Sequence, residues 1–169
     1  MLTIFRLAAL LSLLLCGALF GFFYAWVCST MWGLDAAAPE VAIRAMQAMN
    51  ASVRNAVFAP AFFGTGPALL LTALLAWKSG QGRAVVGLFA LAGLVALFGG
   101  SVLTLAVNVP MNEALALVSD AEIDAGAAQI WAEYSAPWQF WNQLRTVFTG
   151  IALALAGLGL LMAAPAAER

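Results

Sequence analysis

The stretch LAALLSLLLCGALFGFFYAWVCSTMWGL, residues 7–34, runs without a charge between Arg6 and Asp35. About 20 apolar residues cross the hydrocarbon of a bilayer as a helix, because no water is present there and each backbone N–H must pair within its own segment. Three further stretches are similarly apolar: residues 56–77 and 84–107 carry no charge, and 138–164 carries Arg145 alone. Across the whole chain of 169 residues, 64% are apolar and 9% charged, with a mean hydropathy of +0.98. An ordinary soluble domain is about 45–50% apolar and about 25% charged. The expected fold is therefore all-α, a four-helix transmembrane bundle forming a single membrane domain over residues 1–169. Its two more polar outer segments, 35–55 and 108–137, are expected to supply short helices that cap the non-cytoplasmic side.

Composition also removes whole classes of function. A net charge of −1 provides no basic field for nucleic acid. The chain has no His and two Cys, so the usual nitrogen and sulfur ligands of zinc, copper and haem iron are almost absent, and no metal site is expected. No glycine-rich phosphate loop or dinucleotide fingerprint occurs, and no bound cofactor is expected. Cys16 and Cys28 lie twelve residues apart in the first span, about 120° apart around a helix, and read as small packing residues.

Lys78-Ser79-Gly80-Gln81-Gly82-Arg83 is a polar turn that makes spans two and three an antiparallel hairpin. With four spans, Arg6, Lys78, Arg83 and Arg169 share one side, whereas Arg44, Arg54 and Arg145 belong to the other. The positive-inside rule then places both termini in the cytoplasm, as in an integral protein of a bacterial inner membrane. The first span is longer than the usual signal-peptide core and lacks an Ala-x-Ala exit, so it is expected to remain in the protein.

Arg44, Gln47, Asn50 and Arg54 recur at spacings of three, three and four, on one face of an outer helix. Ser119-Asp120-Ala121-Glu122 fits a capping box, and Pro137 suits the first turn of span four. Trp131, Tyr134, Trp138 and Trp141 form an aromatic stripe entering that span, in the manner of an interfacial belt. Trp26, Trp32 and Tyr24 read as packing or belt residues. Gly17 and Gly21 make a GxxxG, which either permits close helix contact or reflects the glycine-rich composition.

Polar residues penetrate the spans from one side only. Span two begins with Asn50, Arg54 and Asn55, span three ends with Asn108, Asn112 and Glu113, and span four begins with Asn142 and Arg145. Arg145 is seven residues beyond Trp138, about 10 Å along a helix. An Arg at the centre of a membrane helix costs about 2.5–3.5 kcal/mol on insertion scales, so it faces protein, a ligand or a watery cavity. The opposite halves offer little beyond Ser12 and Thr72, so no polar route crosses the membrane and a channel or proton-coupled transporter is disfavoured. A one-sided cup remains, with an apolar floor and a rim that includes Asn50, Trp138 and Trp141, suited to a flat hydrophobic molecule carrying a few oxygens. The same residues also fit a purely structural role, in which Arg54 or Arg145 pairs with Glu113 and the asparagines tie helix ends together.

Thr104-Leu-Ala-Val-Asn108-Val-Pro110-Met-Asn112, followed by Trp131-x-x-Tyr134 and Trp138-x-x-Trp141-Asn142-x-x-Arg145-Thr146, resembles the anthrone-oxygenase-like membrane family, whose bacterial members mostly bear a domain-of-unknown-function label. Gln47-x-x-Asn50 fits as well, and the likeness covers nearly the whole chain. The resemblance implies a small four-span protein. For the fungal members it implies oxidation of an anthrone to an anthraquinone by dioxygen without a bound cofactor. On that footing Glu113 is the candidate base, and Arg54, Arg145, Asn108, Asn112 and Asn142 are candidates to hold the developing oxyanion. Tyr134 is placed to hydrogen-bond a phenol. The expected partners are a hydrophobic small molecule or lipid and the membrane itself, with a homo-oligomer or a larger membrane complex as a further option. The competing expectation is a non-catalytic accessory subunit or a lipid- or quinone-binding protein.

Overall fold

The computed structural model describes residues 1–164. Glu168 and Arg169, the latter counted in the orientation argument, lie outside them. The elements are α1 (Leu2–Asp35), α2 (Pro39–Ser52), α3 (Ala59–Lys78), α4 (Arg83–Ala116) and α5 (Asp120–Met162). Among the described residues there is no strand, and α1, α3, α4 and α5 are long and apolar enough to cross a membrane. The expected four-helix membrane bundle is the fold.

The hairpin between α3 and α4 closes as its polar turn predicts. Gly80 adopts φ +76°, the left-handed conformation that ends a helix, and the Gln81 amide donates back to the Ala76 carbonyl at 3.0 Å. The opposite, capped end departs from expectation. Residues 108–137 form no separate layer, because α4 continues to Ala116 and α5 begins as early as Asp120. Ser119 explains the early start: its hydroxyl accepts from the Glu122 amide while Glu122 accepts from the Ser119 amide, a complete capping box. Pro137, expected in the first turn, lies well inside α5. Proline removes one N–H but its fixed φ is helical, so the tightly packed aromatic stripe around it holds the helix through that position. The backbone of α5 leaves helical geometry at Gly126 (φ −156°, ψ 27°), which separates a short first segment from the long spanning one.

Three π-helical segments interrupt the spans: Trp26–Thr30 in α1, and Ala96–Val102 and Thr104–Asn108 in α4. Each widens the helix locally and rotates the residues after it relative to a regular α-helix, a feature frequent at functional sites. All three lie toward the capped half of the bundle.

The hairpin half is packed through small side chains. Phe5, Ala9, Leu69, Ala73, Phe89, Ala92, Ala152 and Ala156 form its core, and Ser12 and Thr72, the two polar groups at that depth, pair with each other at 2.9 Å. A Cβ added at Gly66 falls 3.1 Å from Leu97 Cβ, one at Gly93 falls 2.8 Å from the Leu70 side chain, and one at Gly99 collides with Phe148 Cβ. Helix association in lipid rests on such close approach. The GxxxG glycines are not used this way, since a Cβ at Gly17 or Gly21 meets nothing within 4 Å. Gly99→Ala is thus expected to push α4 away from α5 and lower stability by about 1–3 kcal/mol. Gly17→Ala should be neutral or stabilising by up to about 1 kcal/mol. Thermal unfolding in mild detergent checks both, and equal melting temperatures for the two variants would refute the α4–α5 contact.

Candidate functional site

The polar face predicted for residues 44–54 exists and clasps the corner between α4 and α5. Arg44 pairs with Asp120 and, at 3.7 Å, with Asp124. Gln47 donates its amide N–H to the carbonyls of Leu115 (2.9 Å) and Val118 (3.1 Å), capping the end of α4, and Arg54 reaches Glu113 at 3.2 Å. These ion pairs are solvent-exposed and contribute position more than stability. The end of α1 is held by a residue that spacing did not reveal. Asp35 accepts from Trp131 Nε1 (2.9 Å), Ser135 Oγ (2.7 Å) and Gln139 Nε2 (2.8 Å), which accounts for three positions of the aromatic stripe and its neighbours on α5.

Beneath this cap lies a cavity of about 540 Å³. Its apolar wall is aromatic: Phe22, Phe23 and Trp26 from α1, Phe58, Phe62 and Phe63 from the start of α3, and Trp138 from α5. Asn50, Arg54, Asn112, Glu113 and Arg145 supply the polar part, together with Thr104 and Asn55. A second, more polar cavity of about 440 Å³ shares Asn50, Arg54, Asn112 and Glu113 with the first and continues past Gln47 and Leu117.

Arg145 is the unusual group. It is only 4% exposed, yet no carboxylate pairs with it among the described residues. Its Nε donates to Asn142 Oδ1 at 3.0 Å and its Nη1 to Thr104 Oγ1 at 3.1 Å, while the guanidinium lies 4.3 Å from the Phe23 ring centroid and 5.2 Å from that of Trp138. Guanidinium carries five N–H donors, and these two bonds leave three, including both on Nη2, without a partner among the described residues, on a side chain that lines the cavity. Cation–π contact offsets part of the cost of burying the charge but supplies no acceptor. Asn142 acts from behind the wall, donating to the Phe23 carbonyl at 3.2 Å while its oxygen fixes Arg145.

Asn112 is oriented just as firmly. Its Oδ1 accepts from both the Tyr134 hydroxyl and Trp138 Nε1, each at 2.8 Å, so its NH₂ is the group turned away from α5. Tyr134, placed by sequence beside a ligand phenol, spends its hydroxyl proton on this amide and is not part of the cavity wall. Asn108 is fully buried, with Nδ2 3.5 Å from the Trp138 carbonyl and Oδ1 without a partner, and Asn50 Nδ2 is likewise buried without a partner. Trp141 is half-buried, packs edge-on against Phe140 at 5.3 Å, and lies off the cavity wall. The structure thus brings Asn50, Arg54, Asn112, Glu113, Trp138 and Arg145 to one cavity and leaves Asn108, Tyr134 and Asn142 as its support. Among the described residues no three His, Cys, Asp or Glu side chains come together as a metal site.

A family model described as anthrone oxygenase matches residues 51–155. The chain belongs to this family. No curated protein and no solved structure matches it. The region common to the anthrone oxygenase family includes α3, α4 and α5 up to residue 155, and with them every predicted site residue except Asn50. The first helix, which closes the cavity with Phe22, Phe23 and Trp26, lies before that region, although the sequence likeness was expected over nearly the whole chain. Sequence reasoning passes over Phe22, Phe23, Phe58, Phe62 and Phe63, reads Trp26 as a packing or belt residue, and quotes Thr104 only as part of the family motif. The runs Phe22-Phe23 and Phe62-Phe63 are visible signals, but aromatics in a membrane helix read equally well as lipid-facing.

Proposed function

We propose that this member of the anthrone oxygenase family is a cofactor-independent oxygenase of a flat, hydrophobic aromatic ketone or phenol dissolved in the membrane. The observation that carries the reading is Arg145: a buried cation with no carboxylate partner and an unused Nη2 among the described residues, on the wall of an aromatic cavity large enough for a three-ring molecule. A charge left in that state favours a ligand that brings negative charge with it.

For an anthrone the chemistry balances without an added reductant. Glu113 removes a proton from the methylene carbon between the two rings. The electron pair delocalises onto the ketone oxygen, where Arg145 and the Asn112 NH₂ hold it. The carbanion then reduces dioxygen and bonds to it at the same carbon. The hydroperoxide, protonated from Glu113, loses its outer oxygen as water together with the second methylene hydrogen, leaving the second carbonyl. One anthrone and one dioxygen become one anthraquinone and one water, the four electrons lost by the carbon being the four gained by oxygen. Arg54 holds Glu113 at 3.2 Å, on the cavity wall, and the aromatic side chains sandwich the rings. The capped end is placed outside the cytoplasm in this reading, because Arg6, Lys78 and Arg83 lie at the hairpin end.

The Arg54–Glu113 pair, already satisfied internally, suits the second reading, a lipid- or quinone-binding protein without turnover. The test is direct. The protein purified in mild detergent, with no cofactor added, is given anthrone under air while oxygen uptake and anthraquinone absorbance are followed. One dioxygen consumed per quinone formed, above the rate in empty micelles, is the expected result. Binding of anthraquinone without any oxygen uptake from anthrone would decide for the binder.

A further inference from the structure

The cavity has two differently lined mouths. On the α4 side Leu105, Val109 and Glu113 recur at spacings of four and all border it. Facing them, from the turn before α3 into its first turns, are Arg54, Ala56, Ala59 and Phe63. The Arg54–Glu113 ion pair joins the two sides at the outermost position. Below it the facing residues are apolar only: Ala59 and Phe63 on one side, Val109 and Leu105 on the other.

Helices α3 and α4 pack closely from the hairpin to the middle of the bundle, where Gly93 meets Leu70 and, further along, Gly66 meets Leu97. Their last link toward the capped end is Ser101, whose hydroxyl donates to the Phe62 carbonyl at 2.8 Å. Beyond it the packing of α3 against Thr104–Ala116 falls away. Phe63 and Leu105 border the cavity and yet are 60% and 48% exposed on the lipid-facing side of the bundle. Phe63 is about 6 Å into α3 from Ala59, within the apolar part of that span. The π-helical turn Thr104–Asn108 contributes to the separation, since it turns Thr104 toward Arg145 and leaves Leu105 at the gap. The other mouth, through the second cavity, is bordered by the polar side chains of Gln47, Asn50, Arg54, Asn112 and Glu113, along with Ala51, Ala116 and Leu117, and faces the cap.

We infer that the ligand enters sideways from the bilayer, through the apolar gap between Phe63 and Leu105, and that the polar cavity beneath the cap serves only protons and water. The inference rests on the aromatic-ligand reading above. A three-ring hydrocarbon partitions into lipid and gains nothing by crossing a mouth of amides and an ion pair. The gap makes Phe63 and Leu105 determinants of ligand access.

The test uses the full chain carrying Cys28→Ser, Phe63→Cys and Leu105→Cys, reconstituted in phosphatidylcholine vesicles; Cys16 is buried and does not compete for reagent. A bis-maleimide with a disulfide in its spacer bridges the gap, and reduction cuts the bridge without removing the adducts. Hydroxyanthraquinone dissolved in the vesicles is the probe, and its loading is read as quenching of tryptophan fluorescence by stopped flow. Loading should be lost in the bridged protein, probe loaded beforehand should be trapped, and both should revert on reduction. Equal loading before and after reduction would overturn the inference. So would loading that ignores the bridge but accelerates in Arg54→Ala, since that places the route under the cap. If the wild-type protein takes up no hydroxyanthraquinone at all, the aromatic-ligand reading fails, and the lateral route fails with it.

Discussion

Replacing Arg145 with methionine is expected to lower anthrone turnover by about 10²–10³-fold, the range seen when one donor to a developing oxyanion is removed. Methionine is close to arginine in length and fills the space against Phe23 and Trp138. Two groups lose a donor, Asn142 Oδ1 and Thr104 Oγ1. Thr104 still donates to the Gly100 carbonyl at 2.6 Å, so the unsatisfied acceptor that matters is on Asn142, at about 1–3 kcal/mol. Against this stands the removal of a buried charge with no carboxylate partner, itself unfavourable. The two nearly offset, and the variant should fold with a melting temperature close to that of the parent. Arg145→Lys keeps the charge but loses the planar fork that bonds Asn142 and Thr104 together, and an intermediate rate is expected. Turnover and thermal unfolding measured on both variants check the assignment. Undiminished turnover in Arg145→Met removes Arg145 from the chemistry; an unfolded Met variant beside a folded Lys variant assigns the Arg145 charge to the fold instead.

Glu113→Gln is expected to cost about 10²–10⁴-fold in turnover, the usual contribution of a positioned general base, with ligand binding unchanged. The substitution keeps an oxygen for Arg54 Nη2 and sits at an exposed position, so a stability change above about 0.5 kcal/mol is not expected. Loss of proton abstraction without loss of the cavity predicts a divided readout. Hydroxyanthraquinone still quenches tryptophan fluorescence, while oxygen uptake with anthrone collapses. In Glu113→Ala, small carboxylates from the buffer should restore part of the rate through the space vacated. Full turnover in Glu113→Gln would assign the proton to another acceptor and leave Glu113 as the structural partner of Arg54.

The legible part of this protein is that set by local chemistry. Each long apolar stretch forms a helix of spanning length because the bilayer leaves the backbone no other partner. Ser119-x-x-Glu122 states a helix start in four residues, and Gly80 states a helix end in one. Boundaries at the capped end were misjudged for a related reason. Hydropathy follows side-chain composition, whereas helix length follows hydrogen bonding, and α4 and α5 continue past their apolar stretches with their backbones paired. Pro137 signalled a start, but a proline tolerated by its neighbours carries no information about where the helix began.

In the site, the residue types and their common side of the membrane followed from counting polar positions along each span. Their pairing did not follow. From spacing alone Glu113 could take Arg54 or Arg145, and the two choices imply opposite functions, a saturated tie or an open site. The fold gives Glu113 to Arg54, on the α2–α3 corner, and holds Arg145 deeper, between Asn142, Thr104 and two aromatic rings. That division depends on the angle at which α4 presents Thr104 to α5, and the angle is set by π-helical turns that no hydrophobic period encodes. Likewise, which end of the Asn112 amide is turned away from α5 is decided by Tyr134 and Trp138, twenty-two and twenty-six residues away. Composition and periodicity by themselves determined a four-span bundle with its polar groups gathered at one end, because burial in lipid and backbone pairing act within each segment. The tertiary structure alone decided which of Arg54 and Arg145 pairs with Glu113 and where the cavity opens, because those depend on distances between helices, and no single segment contains them.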